Sequence, residues 1–516
     1  MDNIESPGRL SGQVKIGAAI TYILIILNAL YGVFVTPYLI SSLGEVEYGI
    51  YKTISSLSAS LMVLDLGVGG TIMRYVSKYR ASRQEEKIPN FLAMMIVQAA
   101  IACCLLVVAG LLILSALESM YLGTLNSAQI KKAKVLFLLL LINMIFHIIQ
   151  NFVNGIITGY NKFFFGNGIK LVRLLTRAVT IVALIGIFKN SIVIAAVDLI
   201  LTIVFLIIEL LYVFFRLKTQ IKLTYWEKSL FLESGKYTML MFLTSIAAQV
   251  NNNLDNVLIG SLAGPTFVTV YSVGLLIFTM YENLSTAISG VMLPSVSNLL
   301  ESDHANLKIQ NLIVNVGRIQ FMLLGATVVG FACIGREFIE LWLGVGYEDA
   351  YIITLILMLP SLFELSVNVC LTVLRAKNML TFRTLVLFAS TLLNLLISIM
   401  AIKHWSYIGA ALGTAASFIM GSLVVMNIYY HKKLKFPMIK IYGRIVSRIW
   451  LCLVISGIAL YITSKYINGG IFKLVINIVV FCAVYATTLL LFGLKEEEKQ
   501  NIPIINKWFK KEKENG

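Results

Sequence analysis

Apolar runs long enough to span a bilayer recur from one end of this chain to the other. A helix that crosses the hydrocarbon core needs about 20 mostly apolar residues. Hydrophobic residues make up 58% of the 516 positions and charged residues 13%, whereas a soluble domain is nearer to half apolar and a quarter charged. So many runs cannot all be buried in one aqueous core, and the sequence predicts an all-α integral membrane protein. Examples of these runs are residues 16–40, 91–117, 135–157, 192–215, 352–374 and 474–492.

The runs and the polar segments between them predict about fourteen transmembrane helices. We expect two six-helix lobes around a central cavity, followed by two appended helices. The expected spans are 16–40, 48–77, 91–117, 133–157, 168–188, 191–215, 237–260, 266–295, 311–335, 350–375, 382–402, 406–430, 445–466 and 471–493. The expected domains are an N-lobe at 1–215, a cytoplasmic inter-lobe loop at 216–236, a C-lobe at 237–430, the appended spans at 431–493 and a basic cytoplasmic tail at 494–516.

A weak internal repeat supports the two lobes. Residues 39–44 (LISSLG) followed by Tyr51 are similar to residues 258–264 (LIGSLAG) followed by Tyr271. The two segments close the first and seventh predicted spans, so both halves enter the membrane in the same direction. Parallel repeats of this kind are one known plan of transporters.

Lysine and arginine are concentrated in alternate loops, which accounts for most of the formal net charge of +16. This is the bias that places basic loops in the cytoplasm. We therefore expect a multi-pass protein of a bacterial inner membrane, with both termini cytoplasmic and membrane lipids as partners. The basic loops carry no recognition motif for nucleic acid, and none is expected as a partner. The inner clusters are Lys78, Arg80, Arg83 and Lys87; Arg216, Lys218, Lys222 and Lys228; and Lys432, Lys433, Lys435 and Lys440.

Motifs for catalysis and metal binding are absent from the sequence. The six cysteines lie in apolar runs without CxxC spacing, and the four histidines form no HExxH motif. A membrane enzyme such as a glycan polymerase or glycosyltransferase is the alternative class, but the sequence has no DxD motif and no loop large enough for a catalytic site. We therefore expect no enzyme, no catalytic residue, no metal and no cofactor, apart from a coupling ion.

A basic stripe in the fifth predicted span is the most informative polar feature. Lys170, Arg173 and Arg177 stand at i, i+3 and i+7, so they share one face of a helix and climb about 10 Å toward mid-membrane. A charge at the bilayer centre costs at least ~2.5 kcal/mol, so this face is expected to meet water or protein. Arginine matches phosphate oxygens in a bidentate fashion. The stripe therefore either lines a cavity for an anionic headgroup or pairs within the protein, with Asp198 or Glu209.

Two further arginines, Arg74 and Arg318, lie near the inner ends of predicted spans and are candidates for the same substrate site. For each of them, snorkelling of the side chain to the interface is the simpler interpretation.

Polar side chains also form a stripe in the seventh predicted span. Ser245, Gln249, Asn252 and Asn256 follow one another at spacings of four, three and four residues. Such a stripe cannot face lipid tails. It either bonds to neighbouring helices or lines a cavity in which amides bind sugar hydroxyls. Asn368 in the tenth span is a candidate for the same role.

Intramembrane carboxylates are candidates for coupling transport to H⁺ or Na⁺. We single out Asp65, Glu364, Glu282 and Asp255, and each of them can equally neutralise a buried arginine.

A series of short motifs recurs in a fixed order along the chain. They are Leu43-Gly44 with residues 47–51 (EYGIY), residues 64–67 (LDLG) with Arg74, residues 253–256 (NLDN) with Tyr271, residues 341–344 (LWLG), and residues 409–413 (GAALG). In this order they resemble the polysaccharide flippases, the O-antigen and capsule repeat-unit exporters of the multidrug/oligosaccharidyl-lipid/polysaccharide superfamily.

The resemblance implies a two-lobe fold like that of multidrug and toxin extrusion (MATE) transporters, and alternating access. It also implies a substrate of undecaprenyl pyrophosphate carrying a short glycan, with basic residues in the cavity and polymerase or export proteins as partners. The alternatives are a drug or organic-cation antiporter of the same fold and a flippase of the peptidoglycan precursor, lipid II.

Overall fold

The structure, a computed structural model, describes residues 7–377, 379–467, 469–495 and 498; within these ranges it leaves out the side chains of 7–19, 236–237, 240–241, 243–252 and 291. The described chain is helical almost throughout, and no β-strand occurs in it. The all-α fold that the sequence predicts is therefore confirmed.

Contacts between helices divide the chain into two compact units. The first unit runs to Ser272 and also includes Asn394–Ala410. Within it, α5 packs against α3, α4 and α7, while α6 packs against α1 and α7. The helices of this unit are α1 (Pro7–Leu43), α2 (Glu45–Leu61), α3 (Val68–Ala81), α4 (Ile88–Tyr121), α5 (Ser127–Gly159), α6 (Phe163–Phe188), α7 (Ser191–Leu211), α8 (Lys228–Leu262) and the beginning of α9 (Pro265–Ser289).

The second unit comprises Val273–Leu393 and the chain from Ala411 onward. Its long helix α11 packs against α12, α16, α17 and α18. The lobe boundary predicted at 216–236 and the other predicted domain bounds stay predictions. The helices of this unit are the rest of α9, α10 (Leu293–Leu300), α11 (Ala305–Leu343), α12 (Asp349–Ser366), α13 (Val369–Ala376), most of α14 (Leu380–Ser417), α15 (Met426–Lys433), α16 (Met438–Val446), α17 (Ile449–Tyr466) and α18 (Gly470–Thr488).

Twelve helical stretches of the described residues are long and apolar enough to cross a membrane. One of them, Leu380–Lys433, has 54 residues, more than twice the length that a single crossing requires. Non-helical backbone at Trp405 and Ser406 divides it into two. Helix α8, with 35 residues, is not among the twelve but is long enough to cross. The prediction of about fourteen transmembrane helices agrees with this architecture.

Three predicted spans are interrupted in the structure. In the span predicted at 48–77, α2 passes into a 3₁₀ turn at Met62–Asp65, and Leu66 and Gly67 then adopt positive φ angles of 56° and 69° before α3 begins. The span predicted at 350–375 breaks between α12 and α13, and the span at 266–295 breaks between α9 and α10. Hydropathy did not reveal the breaks because the residues around them are as apolar as an unbroken helix.

The two repeated sequence segments form the same local structure. Helix α1 ends at Leu43 and α2 begins after Gly44, whose φ is 82°; α8 ends at Leu262 and α9 begins after Gly264, whose φ is 111°. A glycine at positive φ is the common way to terminate a helix, because it has no Cβ to strain the backbone. Each repeat is therefore a tight helix–glycine–helix turn.

Candidate functional site

The basic stripe of α6 lies within the first unit, and the structure gives Arg177 a partner inside the protein. Its Nε and Nη2 donate to the two carboxylate oxygens of Asp198 on α7, at 2.5 and 2.9 Å. Its Nη1 donates to the hydroxyl of Tyr31 at 2.9 Å, and the guanidinium lies 5.2 Å from the centre of that ring. The Arg177 and Asp198 side chains keep 25% and 16% exposure. The sequence left two alternatives open for Arg177, a cavity for an anionic headgroup or an ion pair within the protein. The structure favours the ion pair.

Arg173, one turn away, is bound differently. Its Nη1 donates to Oε1 of Gln150 and its Nη2 to Oγ1 of Thr202, both at 2.7 Å. Thr202 in turn donates to the backbone oxygen of Asp198, and Gln150 donates to Glu209 at 3.4 Å. Arg173 is thus positioned by two neutral oxygens, and its charge is not neutralised by direct contact with either of them.

Lys170 and Arg74 are exposed in the structure, on α6 and α3 respectively. Lys170 continues the stripe of Arg173 and Arg177 toward the beginning of α6, as the spacing predicts. Arg74 makes an interaction of its own within the protein.

Lys52 is a basic residue of this site that sequence reasoning missed. It lies on α2 with its Nζ 5.5 Å from the centre of the Tyr48 ring, and its charge interacts with that of Arg177. A signal was present, because a lysine inside a predicted span is costly and points to protein or water.

A polar stripe along α5 was also missed. Asn143, His147, Gln150, Asn151 and Asn154 recur at helical spacing on a helix that the sequence marked only as an apolar run. Oδ1 of Asn143 and Nδ1 of His147 are buried and accept no hydrogen bond from the described residues. Buried polar atoms of this kind are usually satisfied, so the stripe has capacity for water or a bound group.

Asp65 lies at the break between α2 and α3. Nδ2 of Asn151 donates to its Oδ2 at 3.1 Å, and its Oδ1 is buried without a hydrogen-bond partner among the described residues. Irregular backbone at membrane depth is tolerated where it is buried in protein or lines a water-filled cavity, and intramembrane carboxylates are typical of ion and proton pathways. The ion-coupling role of Asp65 stays a prediction.

The stripe on α8 is described only in part. Asn256 is buried, and its Nδ2 donates to Ser56 at 2.9 Å while its Oδ1 accepts from Ser272 at 3.3 Å. Asp255 accepts a 2.5 Å hydrogen bond from the Tyr271 hydroxyl. Both residues therefore bond to neighbouring helices. The side chains of Ser245, Gln249 and Asn252 lie outside the described residues, and their role stays a prediction.

Besides Arg318, three predicted residues lie in the second unit. The charges of Glu282 on α9 and Glu364 on α12 interact with each other, and Glu364 also interacts with Arg383 on α14. Arg383 is a further residue that the sequence analysis missed. Nδ2 of Asn368, at the break between α12 and α13, donates to Oγ of Ser289 at 3.0 Å.

Arg318 is bound within the protein, and its predicted role in substrate binding stays a prediction. Its side chain is fully buried, and its five N–H donors make five hydrogen bonds. Two go to the carboxylate of Glu498 at 2.5 and 3.0 Å, and the others go to the backbone oxygens of Arg444, Ser447 and Gly493. No donor is left for a substrate in this structure.

Comparisons with known proteins agree with the fold. A lipid II flippase, MurJ, in an inward closed conformation superposes with a TM-score of 0.70 at 16% identity, covering 92% of this chain and 97% of that one. An inward-facing MATE multidrug transporter of the MOP superfamily superposes with a TM-score of 0.60 at 15% identity, covering 81% and 99%. At these identities the likeness shows the fold alone.

A curated relative and a family complete the comparison. The probable flippase AglR of Haloferax volcanii is 26% identical over 179 residues, which is 34% of this chain and 37% of that protein. These relatives are flippases and transporters rather than enzymes, as the sequence predicts for this chain. The family described as "Polysaccharide biosynthesis protein" matches residues 14–300. Since this match covers more than half of the 516 residues, the chain belongs to that polysaccharide biosynthesis family.

Proposed function

We propose that this chain flips undecaprenyl-pyrophosphate-linked oligosaccharide repeat units, of the O-antigen or capsule type, from the cytoplasmic to the outer leaflet of the inner membrane by alternating access. Its family supports a role in polysaccharide synthesis, and the relative named as a probable flippase supports the flipping step. Polymerase or export proteins would receive the product.

The excess of positive charge around α6 carries this proposal. Lys52, Arg173 and Arg177 bring three cations to one part of the first unit. Two carboxylates oppose them, since Asp198 pairs directly with Arg177 and the charge of Glu209 interacts with that of Arg173. A pyrophosphate group is polyanionic, and guanidinium groups bind phosphate oxygens through strong, charge-assisted hydrogen bonds. An organic cation would be repelled by the same residues, which argues against the drug-antiporter alternative.

Arg173 is the residue best placed to receive the headgroup. Its partners, Gln150 and Thr202, are neutral, and exchanging a neutral acceptor for a phosphate oxygen strengthens the hydrogen bond. Arg177, in contrast, would first have to release Asp198, whose two oxygens already occupy the bidentate position that a phosphate would take. In the proposed mechanism Arg173 binds first and Arg177 exchanges its partner second.

The experiment is a flipping assay on Arg173→Gln in proteoliposomes. Movement of an undecaprenyl-pyrophosphate glycan to the outer leaflet is followed by its accessibility to a membrane-impermeant oxidant. We expect the rate to fall about tenfold or more, because a hydrogen bond to a charged group is worth about 1.5–3 kcal/mol. Arg173→Lys keeps the charge but loses the bidentate geometry, so its flipping rate should lie between those of the wild type and Arg173→Gln.

The matched control is Lys131→Gln, which removes one positive charge from an exposed position at the start of α5. It should flip at the wild-type rate. Wild-type flipping by Arg173→Gln at equal protein level would refute the proposed site. Equal flipping of lipid II by the wild-type protein would instead assign the chain to peptidoglycan synthesis.

We further propose that an ion gradient drives the cycle through Asp65, with Glu364, Glu282 and Asp255 as other candidates. At the α2–α3 break, Oδ1 of Asp65 is buried and has no hydrogen-bond partner among the described residues, which supports this choice.

The proposed orientation, with both termini cytoplasmic, would make a cysteine at the exposed Val345 react with an impermeant maleimide from outside the cell. Lack of labelling there would invert the orientation.

A further inference from the structure

A second basic site lies where the beginning of α6 meets the end of α7, in the first unit. It is a cavity of about 320 Å³, within the size range of small-molecule sites. By the distribution of basic loops, this end of both helices faces the cytoplasm. The cavity is lined by Lys162, Phe164, Phe165, Tyr212, Arg216 and Leu217.

The backbone at this end of α7 is unusual. The helix passes into a π-helical turn at Tyr212–Arg216, which Leu217 closes by donating its N–H to the Tyr212 oxygen at 3.1 Å. Single π-helical turns occur frequently at functional sites. Here the turn places Arg216 in the lining of the same cavity as Lys162, the residue that immediately precedes α6.

The lining combines two cations with aromatic rings. The rings of Phe165 and Tyr212 stack with their centres 3.6 Å apart and an angle of 11° between their planes. Phe164 is 61% exposed on the same rim. None of the six lining residues is acidic. Two cations can bind the oxygens of a phosphate diester. An exposed phenyl ring at the membrane surface can pack against the first methylenes of an acyl chain.

We propose that this cavity binds the phosphate headgroup of an acidic membrane phospholipid, such as phosphatidylglycerol. The site is separate from the stripe of Arg173 and Arg177, which lies about two to four turns further along α6. The two basic residues hold the phosphate, the stacked rings of Phe165 and Tyr212 shape the pocket, and Phe164 contacts the lipid chain. A soluble anion would gain nothing from Phe164, which is why a lipid is the ligand that fits.

The test measures lipid binding to the full-length protein by native mass spectrometry. The detergent-solubilised protein is titrated with phosphatidylglycerol or phosphatidylcholine. We expect phosphatidylglycerol to bind at least tenfold more tightly, and the double variant Lys162→Gln/Arg216→Gln to lose this preference, since basic residues near an anionic lipid each contribute severalfold. Arg216→Lys keeps the charge and should retain most of the binding.

The matched control is Lys222→Gln/Lys228→Gln, which removes two positive charges from the adjacent exposed segment without touching the cavity. Its affinity for phosphatidylglycerol should stay within about twofold of wild type. The proposal is overturned if the double variant keeps wild-type binding, if the control loses as much as the double variant, or if millimolar inorganic phosphate displaces the lipid.

Discussion

At the scale of single residues, the ion pair between Arg177 and Asp198 is the contact that most limits the candidate site. Both side chains are largely buried, and a buried charge that loses its partner costs far more than the pair contributes when intact. Tyr31 is neutral, so it helps to bind the guanidinium but does not compensate its charge. Asp198 therefore compensates the charge of Arg177 within the protein.

This leads to a prediction for Asp198→Asn. The variant leaves Arg177 without its carboxylate, and we expect the free energy of unfolding to fall by about 3 kcal/mol or more. The double variant Arg177→Gln/Asp198→Asn removes both charges and should recover much of that loss. Thermal denaturation in detergent of the wild type, the two single variants and the double variant measures the coupling between the two residues. Additive effects of the two substitutions would show that the pair is not coupled.

At the scale of secondary-structure elements, Arg318 connects α11 to the segment that follows α18. Its donors bind the backbone oxygens of Arg444 and Ser447 at the end of α16. They also bind the backbone oxygen of Gly493 and the carboxylate of Glu498, which both follow α18. The backbone N–H of Lys495 also donates to Glu498, at 2.8 Å. The Arg318 side chain thus connects three parts of the chain, namely α11, the end of α16 and the segment that follows α18.

The contact with Glu498 gives a pH-dependent contribution to stability. Burial alone would raise the pKa of the Glu498 carboxyl, but the hydrogen bonds from Arg318 and Lys495 outweigh it and hold that pKa below its usual 4.5. A carboxyl with a lower pKa in the folded state stabilises the fold above its unfolded pKa and loses this contribution as the pH falls through the folded one.

We therefore expect Glu498→Gln to lower the melting temperature at pH 7, with a smaller difference from wild type at pH values below 4.5. Melting curves of the two proteins across this range provide the measurement. Glu340→Gln, an exposed carboxylate of the same helix α11, serves as the control and should change the melting temperature little. A difference for Glu498→Gln that does not narrow in acid would contradict the assignment.

At the scale of the whole molecule, the sequence predicted the class and the approximate number of helices because both depend on the length and frequency of apolar runs. It did not predict the breaks at Asp65 and Asn368, since a break depends on backbone conformation that hydropathy does not measure. It placed Arg173 and Arg177 correctly on one face of the same helix. It named Asp198 as one possible partner of this face, and Asp198 pairs with Arg177. It did not name Gln150 and Thr202, because neutral side chains on other helices carry no charge pattern that marks them as partners of Arg173.

The proposed ion coupling concerns the whole transport cycle, and Asp65→Asn tests it. The amide can keep the hydrogen bond with Asn151 but cannot ionise. We expect the variant to flip substrate at a rate that no longer responds to an imposed pH or Na⁺ gradient. Glu118→Gln, an exposed carboxylate of α4, should keep the wild-type response. A full gradient response by Asp65→Asn would exclude this residue as the coupling group.

The tight turn at Gly44 has a practical consequence for studying this protein. Only one residue joins α1 to α2, so an inserted epitope or fluorophore would have to unwind one of the two helices. Gly264 imposes the same restriction between α8 and α9. The non-helical stretch 217–227, in contrast, can accommodate an added sequence without disturbing a helix, and reporters for single-molecule work belong there.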